Sequence, residues 1–122
     1  MPDAIILFAH GAREPEWAEP FKKIQREVAR RLTEQRVELA FLEIMHPALG
    51  DTLEKLATEG VKKMRIVPLF LAQGGHLKHD LPKLVNAARK QHPDLSIEVS
   101  PAIGEASELL DKIADWVVAE SR

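Results

Sequence analysis

Apolar positions along the chain fall into four short runs of the β type. The first run, residues 4–9, is continuously apolar, which is typical of a strand covered on both faces. Residues 37–43 and 64–71 form the second and third runs, and residues 95–99 alternate as an edge strand would. Pro68 lies inside the third run and cannot donate to a sheet ladder, so we expect that strand to be irregular at its carboxyl end.

Helical spacing follows each of these runs. Between the first two runs, apolar residues recur every three or four positions and therefore share one stripe: Trp17, Phe21, Ile24, Val28 and Leu32. A second helix is predicted from Leu49 to a left-handed cap at Gly60. A third is predicted to begin at Asp80, as N-cap before Pro82, and to end near Pro93. The fourth helix carries the apolar positions Leu110, Ile113, Ala114 and Val117.

The strand starts near residues 4, 37, 64 and 95 have the spacing of βαβ units, whose right-handed crossovers give a parallel sheet. We therefore predict a flavodoxin-like α/β fold, a four-stranded parallel sheet with helices on both faces. The chain has 122 residues, close to the commonest size of a compact domain. Residues 1–122 are accordingly predicted to form one domain.

Charge and composition exclude several classes of function. The chain has 17 Lys and Arg against 19 Asp and Glu, with no basic block, so no nucleic-acid partner is expected. It has no cysteine, so any metal must be held by His, Asp or Glu. No apolar run approaches the roughly 20 residues that span a bilayer, and no basic region precedes the first strand as in a signal peptide. The cytoplasm is the expected compartment, with no membrane partner.

Candidate chemistry gathers where three of the predicted strands end. In an open parallel α/β sheet, ligands bind at the carboxyl ends of the strands. His10-Gly11-Ala12-Arg13 follows the first strand, Glu43 ends the second, and residues 73–80 follow the third with the sequence Gln-Gly-Gly-His-Leu-Lys-His-Asp. Imidazole and carboxylate suit Co²⁺, Fe²⁺, Ni²⁺ and Zn²⁺, and two His with one carboxylate leave coordination positions open. The pattern predicts a crevice that binds and exchanges a divalent metal.

These segments resemble the class II tetrapyrrole chelatases, and most closely the short, single-domain CbiX-type sirohydrochlorin cobaltochelatases. The resemblance rests on four motifs in the same order and spacing: His10-Gly11-Ala12-Arg13, Phe41-Leu42-Glu43, Val67-Pro68-Leu69-Phe70-Leu71, and Gly75-His76 with Asp80-Leu81-Pro82. The motifs cover mainly residues 4–13, 37–49 and 61–84. The rest of the chain matches only as a generic α/β pattern.

The resemblance implies a chelatase fold and the insertion of a divalent metal into sirohydrochlorin. Co²⁺ is the expected metal, from the name of the family, and Fe²⁺ and Ni²⁺ are the alternatives. His10 and His76 would bind the metal and assist deprotonation of the macrocycle, with Glu43 as a further ligand. The metal is a substrate, and no tightly bound cofactor is expected. A longer form of the family carries two such domains, so a chain of this size is expected to form a homodimer.

The residue types suit this chemistry independently of the family. Metal insertion removes two pyrrole N–H protons, and histidine accepts protons around neutral pH. Sirohydrochlorin carries many carboxylates, which makes Arg13 and Lys78 candidate contacts. Gly74 and Gly75, like Gly11, would let the backbone approach a flat, bulky ligand.

Some assignments stay open at this point. His46 and His79 could add to the site or be surface residues, whereas His92 at a helix end is expected to be structural. Trp17, Phe21 and Trp116 are expected to be core or dimer contacts. A carrier that holds metal or tetrapyrrole with the same histidines is the main alternative function. A histidine phosphatase is a weaker one, because Ala9 stands where that family has an arginine.

Overall fold

The computed structural model describes residues 1–122, except for the side chain of His76. Strands and helices alternate along the chain: β1 (Ala4–Ala9), α1 (Glu19–Arg31), β2 (Arg36–Phe41), α2 (Leu49–Thr58), β3 (Lys63–Pro68), α3 (Gly75–Gln91), β4 (Ser96–Val99) and α4 (Ser107–Glu120). Short 3₁₀ turns at Pro15–Ala18 and Ile103–Glu105 precede α1 and α4. None of the helices in the described chain is long and apolar enough to cross a membrane.

The four strands are parallel and lie in the order β2-β1-β3-β4. This confirms the predicted flavodoxin-like sheet, with β4 at one edge. From β1 the chain moves outward to β2 on one side, and the connection after β2 then crosses back to β3 on the other side of β1. The switch point of the sheet therefore lies between β1 and β3, and a ligand crevice is expected outside their carboxyl ends.

The two faces of the sheet are covered unequally. On one face, α2 and α3 bury a large core whose members include Ile6, Phe8, Leu53, Ile66, Leu81 and Val85. On the other face, a smaller core of Leu7, Ala9, Ala18, Leu39 and Phe41 lies under Trp17 and Phe21, whose rings are 4.5 Å apart. The predicted stripe of α1 packs here, but none of the α1 residues is fully buried. One helix covers this face where two cover the other.

Pro68 is the last residue of β3, so the predicted run of residues 64–71 was three residues too long at its carboxyl end. Neighbouring residues of a strand send their N–H groups to opposite sides. Leu69 donates to the carbonyl of Phe8 in β1, so the position of Pro68 faces β4, which ends at Val99. Proline is tolerated because its missing N–H falls where the ladder to β4 has stopped.

The predicted start of the third helix was wrong. The helix begins at Gly75, with Gly74 as N-cap, so Asp80 and Pro82 lie inside it. Leu77, Leu81 and Val85 recur every four residues and are all buried against the sheet. This packing outweighs the hydrogen bond that Pro82 cannot make. The predicted glycine cap of α2 is confirmed, because Gly60 has φ of +91°.

Candidate functional site

The site is built where β1 and β2 continue side by side beyond their last paired residues. The N–H of Leu42 donates to the carbonyl of Ala9 at 2.9 Å, and the N–H of Glu43 donates to the carbonyl of His10 at 3.1 Å. These bonds hold residues 10 and 43 next to each other. The Nε2–H of His10 then donates to Oε1 of Glu43 at 2.9 Å, with the two side chains 53% and 56% exposed.

A tight backbone crossing supports this pair. Gly11 has φ of +95°, and a Cβ built on it would lie 1.9 Å from the carbonyl oxygen of Glu43. Ile44 has φ of +69°, which is uncommon for a β-branched residue and marks stored strain beside the site. The N–H of Met45 closes the turn on the Glu43 carbonyl at 2.7 Å. Glycine at position 11 is therefore what lets the two segments approach so closely.

A cavity of about 330 Å³ opens beside the pair, at the switch point of the sheet. Residues that follow β1, β2 and β3, together with two residues of α3, surround it: His10, Leu42, Glu43, Phe70, Ala72, Gly74, Leu77 and Asp80. The Phe70 ring is nearly buried, packs edge-on against Phe8 at 5.4 Å and lies 6.1 Å from the His10 ring. The cavity thus combines a rigid apolar wall with a polar His–Glu rim.

The predicted cationic residues lie outside this cavity. Arg13 lines a neighbouring cavity that also includes Lys22 and His46. Lys78 lines another, between α3 and the end of β4. Of the predicted glycines, Gly74 lines the His10–Glu43 cavity and Gly75 begins α3 with open space around it. A ligand that touches Arg13 or Lys78 must therefore extend beyond the central cavity.

The predicted third ligand, His76, lies outside the described side chains, so its role stays a prediction. Among the side chains that the structure describes, no group of three His, Asp or Glu residues is assembled as a metal site. His10 and Glu43 thus form a pair of possible metal ligands that is open to solvent. Such a pair suits temporary holding of a metal, because the remaining coordination positions are available to other ligands.

His46, His79 and His92 do not line the cavity beside the pair. His46 is exposed on the turn after Glu43, next to Lys22 and Arg26, and its bond to Pro47 is cis. His79 is exposed on α3. His92 follows α3 and shares a 2.7 Å hydrogen bond with Oε2 of Glu54 in α2. That second His–Glu pair lies at the amino-terminal edge of the sheet and offers a matched control for the first.

The ion pairs with resolved pKa shifts lie outside the site. Arg36 of β2 donates to Glu59 after α2, and this hydrogen bond lowers the pKa of the Glu59 carboxyl. On α1, Arg30 and Arg31 lower the pKa of Glu27 in the same way. All these groups are on the surface, so the pairs contribute little to stability.

Sequence reasoning missed Phe70 and Asp80 as residues that line the cavity. Phe70 was part of a motif, but only the packing against Phe8 shows that it forms a wall. Asp80 was assigned to a helix cap, because Pro82 suggested a helix start. The spacing of Leu77 and Leu81 was the available signal, since it predicts a helix that turns Asp80 toward the same end of the sheet.

Curated relatives share this chain's sequence over most of its length. The CbiX family model matches residues 4–119. A sirohydrochlorin cobaltochelatase of Saccharolobus islandicus is 30% identical over 93% of this chain and 89% of that protein. Those of Methanococcus aeolicus and Methanopyrus kandleri are 35% and 37% identical over 68% and 67% of the chain. The matched segment spans 58% and 57% of the length of these two proteins.

Solved structures show the same fold. A CbiX protein of Marinobacter aquaeolei, described as a putative cobalamin biosynthesis protein, has a TM-score of 0.84 and 31% identity, and the match covers 98% of this chain and 97% of that one. The sirohydrochlorin chelatase SirB of Bacillus subtilis subspecies spizizenii, in complex with cobalt, has a TM-score of 0.74 and 25% identity. The match covers 84% of this chain but 44% of SirB. The chain therefore belongs to the CbiX family.

Proposed function

We propose that this chain is a sirohydrochlorin chelatase, a lyase-type enzyme that inserts a divalent metal into the macrocycle. The observation that carries the proposal is the solvent-open His10–Glu43 pair, 2.9 Å apart, beside a cavity at the switch point of the sheet. Relatives named sirohydrochlorin cobaltochelatase support this substrate, and SirB in complex with cobalt supports Co²⁺ as the first candidate metal. Fe²⁺ and Ni²⁺ accept the same ligands and stay open.

The spacing of the pair fits two neighbouring ligands of one ion. Two atoms bonded at about 2.1 Å and at right angles around a metal lie about 3 Å apart. Nε2 of His10 and Oε1 of Glu43 are separated by 2.9 Å, so a metal can replace the shared proton with little movement of either side chain. Metal binding is therefore coupled to the release or relocation of the Nε2 proton.

Insertion follows from the same two groups. As pyrrole nitrogens replace the protein ligands, the macrocycle must lose two N–H protons. The His10 imidazole, once it releases the metal, is free to accept one of them, and Glu43 at 2.9 Å stabilises the imidazolium that forms. We propose His76 as the second histidine of this exchange. The apolar wall that includes Phe70 offers a face against which the ring can lie.

The wider assembly is also a proposal. Residues 1–122 form one CbiX-type domain, and two copies of the chain form the functional unit. The partial coverage of SirB supports this, because it leaves a length of SirB sufficient for a second domain of the same kind. The location of the protein in the cytoplasm remains a prediction from the sequence.

A turnover experiment separates the chelatase from a carrier that only holds the metal or the ring. Purified protein is mixed anaerobically with a large excess of sirohydrochlorin and with Co²⁺, Fe²⁺ or Ni²⁺ in turn, and the absorbance of the macrocycle is followed. A chelatase converts many equivalents per chain, faster than the uncatalysed reaction. Conversion that stops at one equivalent, or that matches the uncatalysed rate despite tight binding, identifies a carrier.

We expect Glu43→Gln to weaken Co²⁺ binding at least about tenfold, because losing a direct ligand should cost no less than losing a group that only orients one. The amide keeps the size of the side chain but removes its charge, so the fold should be unaffected. Isothermal titration with Co²⁺ measures the change. The matched control is Glu54→Gln, which removes the same charge beside His92. Equal Co²⁺ affinity in both variants would contradict the role of Glu43.

We expect Arg13→Ala and Lys78→Ala each to raise KM for sirohydrochlorin about two- to fivefold with little change in kcat, since exposed charge pairs contribute modestly. Their proposed role is to bind carboxylates of the substrate beyond the central cavity. Gly74 and Gly75, which have no side chains, are proposed to let the macrocycle approach the backbone closely. Steady-state kinetics measure the effect, with Lys90→Ala at the far end of α3 as control. An unchanged KM in both variants would remove these residues from the substrate site.

A further inference from the structure

Within the part of the chain that the structure describes, no element covers the apolar face of helix α4. All of its residues, from Ser107 to Glu120, are described and all are exposed. One face of the helix nonetheless carries large apolar side chains that are 42–65% exposed: Leu109, Leu110, Ile113, Trp116 and Val117. Its main contacts within the chain are with the 3₁₀ turn that precedes it. A stripe of this kind is a surface that packs against another element.

The accessible surface area of the chain indicates how much surface a partner would cover. A compact monomer of 13.7 kDa exposes about 6,600 Å². This chain exposes 8098 Å², about 1,500 Å² more than that expectation. If two copies each hid that excess, the interface would bury about 3,000 Å² in total, the range of permanent dimers.

A partly exposed apolar surface lies on the face of the sheet that only α1 covers, on the β3 side of that helix. Gln25 of α1 donates to the carbonyl of Val37 in β2, so that flank of the helix faces β2. Ile24 is one residue away, about 100° around the helix, and therefore lies on the flank toward β3. Ile24 is 42% exposed. We call the surface formed by Ile5, Ile24, Val67 and Leu69 the α1-side groove; Ile5, Val67 and Leu69 are only partly buried.

The groove is where a doubly wound sheet normally carries a second helix beside α1. The chain supplies such a helix but directs it elsewhere. Gly104, in the turn before α4, donates to the carbonyl of Phe70 at 3.0 Å, and a Cβ built on it would lie 1.6 Å from the carbonyl oxygen of Leu71. This close packing sets the direction in which α4 leaves the body of the chain.

We propose that two copies of the chain exchange α4, so that the apolar face of α4 from each copy fills the α1-side groove of its partner. The proposal rests on the homodimer proposed above and not on the chelatase activity. The exchange also links the interface to the site, because the turn that starts α4 is bonded to Phe70, which lines the His10–Glu43 cavity.

Ile113→Lys tests whether the apolar face of α4 makes the dimer. Wild type should sediment at twice 13.7 kDa, and Ile113→Lys should weaken the dimer at least about a hundredfold, because each copy then buries an unpaired charge. Asp111→Lys places the same residue on the opposite face of α4 and should remain dimeric. Far-ultraviolet circular dichroism checks that both variants are folded. A monomeric wild type at micromolar concentration, or an Ile113→Lys variant as dimeric as the control, would overturn the proposal.

Crosslinking tests the exchange itself and does not depend on a disruptive variant. The chain has no cysteine, so Val67→Cys and Ile113→Cys introduce single thiols in the groove and on α4. After the two variants are mixed and subunits re-equilibrate, a short bismaleimide should join them into a covalent dimer, and neither variant alone should crosslink.

Crosslinking of Ile113→Cys with itself would show that α4 packs against α4 of the partner instead. A monomeric internal crosslink in the double variant would show α4 on its own groove, and either result overturns the exchange. Insertion activity is measured separately.

Discussion

Replacement of His10 by alanine is expected to slow Co²⁺ insertion into sirohydrochlorin at least about a hundredfold, the usual range for loss of a proton-transfer group. The variant loses the proposed metal ligand and proton acceptor at once, and leaves Glu43 without its 2.9 Å partner. His10 is half-exposed, so its removal should leave the fold intact. His76→Ala is expected to give a comparable loss. Single-turnover absorbance measurements at saturating metal separate slow insertion from weak binding.

The control for His10→Ala is His92→Ala. His92 belongs to the other His–Glu pair among the described side chains, in which its Nε2 lies 2.7 Å from Oε2 of Glu54. That pair joins α2 to the end of α3 and has no place in the proposed reaction. His92→Ala should therefore insert Co²⁺ at close to the wild-type rate. Near-normal insertion by His10→Ala would remove the residue from the mechanism, whatever its affinity for metal.

Gly11→Ala is expected to destabilise the protein by about 3 kcal/mol or more and to abolish tight Co²⁺ binding. Two effects combine: alanine is strained at φ of +95°, and its Cβ would lie 1.9 Å from the Glu43 carbonyl oxygen. Relief requires the His10 and Glu43 segments to move apart, which separates the two ligand atoms. Denaturant unfolding measures the stability, and Co²⁺ titration of the folded fraction measures the site.

Gly50→Ala is the matched control for this change. Gly50 lies in α2, and a Cβ there has nothing within 4 Å. Alanine should therefore stabilise that helix by up to about 1 kcal/mol, through its better helix propensity, and leave metal binding unchanged. If Gly11→Ala were as stable as Gly50→Ala and bound Co²⁺ normally, the backbone crossing would not be what brings His10 and Glu43 together.

The sheet was predictable from the sequence because its signals are local. The continuous apolar run of β1 needs both faces covered, and its bounds agree with the structure at both ends. The start of α3 was missed because Pro82, a residue that usually marks the start of a helix, was given more weight than the helical spacing of Leu77 and Leu81. The helix begins earlier, at Gly75, because Leu77 and Leu81 pack against the sheet, which is a tertiary effect.

The candidate site was partly predictable for a topological reason. Parallel strands end at one edge, so His10 and Glu43 were expected to meet, and the structure brings them to 2.9 Å. The positions of Arg13 and Lys78 depend on how the loops turn after the strands, which spacing does not determine. The exposure of α4 could not be predicted either, because periodicity identifies an apolar face but does not identify the chain that covers it.

His10 and Glu43 are proposed to hold the metal jointly before insertion, and a crystal soaked in Co²⁺ would show whether they bind the ion. Anomalous scattering at the cobalt edge locates the ion without reference to activity. We predict one strong peak within bonding distance of both Nε2 of His10 and Oε1 of Glu43, and no comparable peak at His92 and Glu54. A peak only at His92 and Glu54, or no peak at His10 and Glu43 under saturating Co²⁺, would show that His10 and Glu43 do not hold the metal.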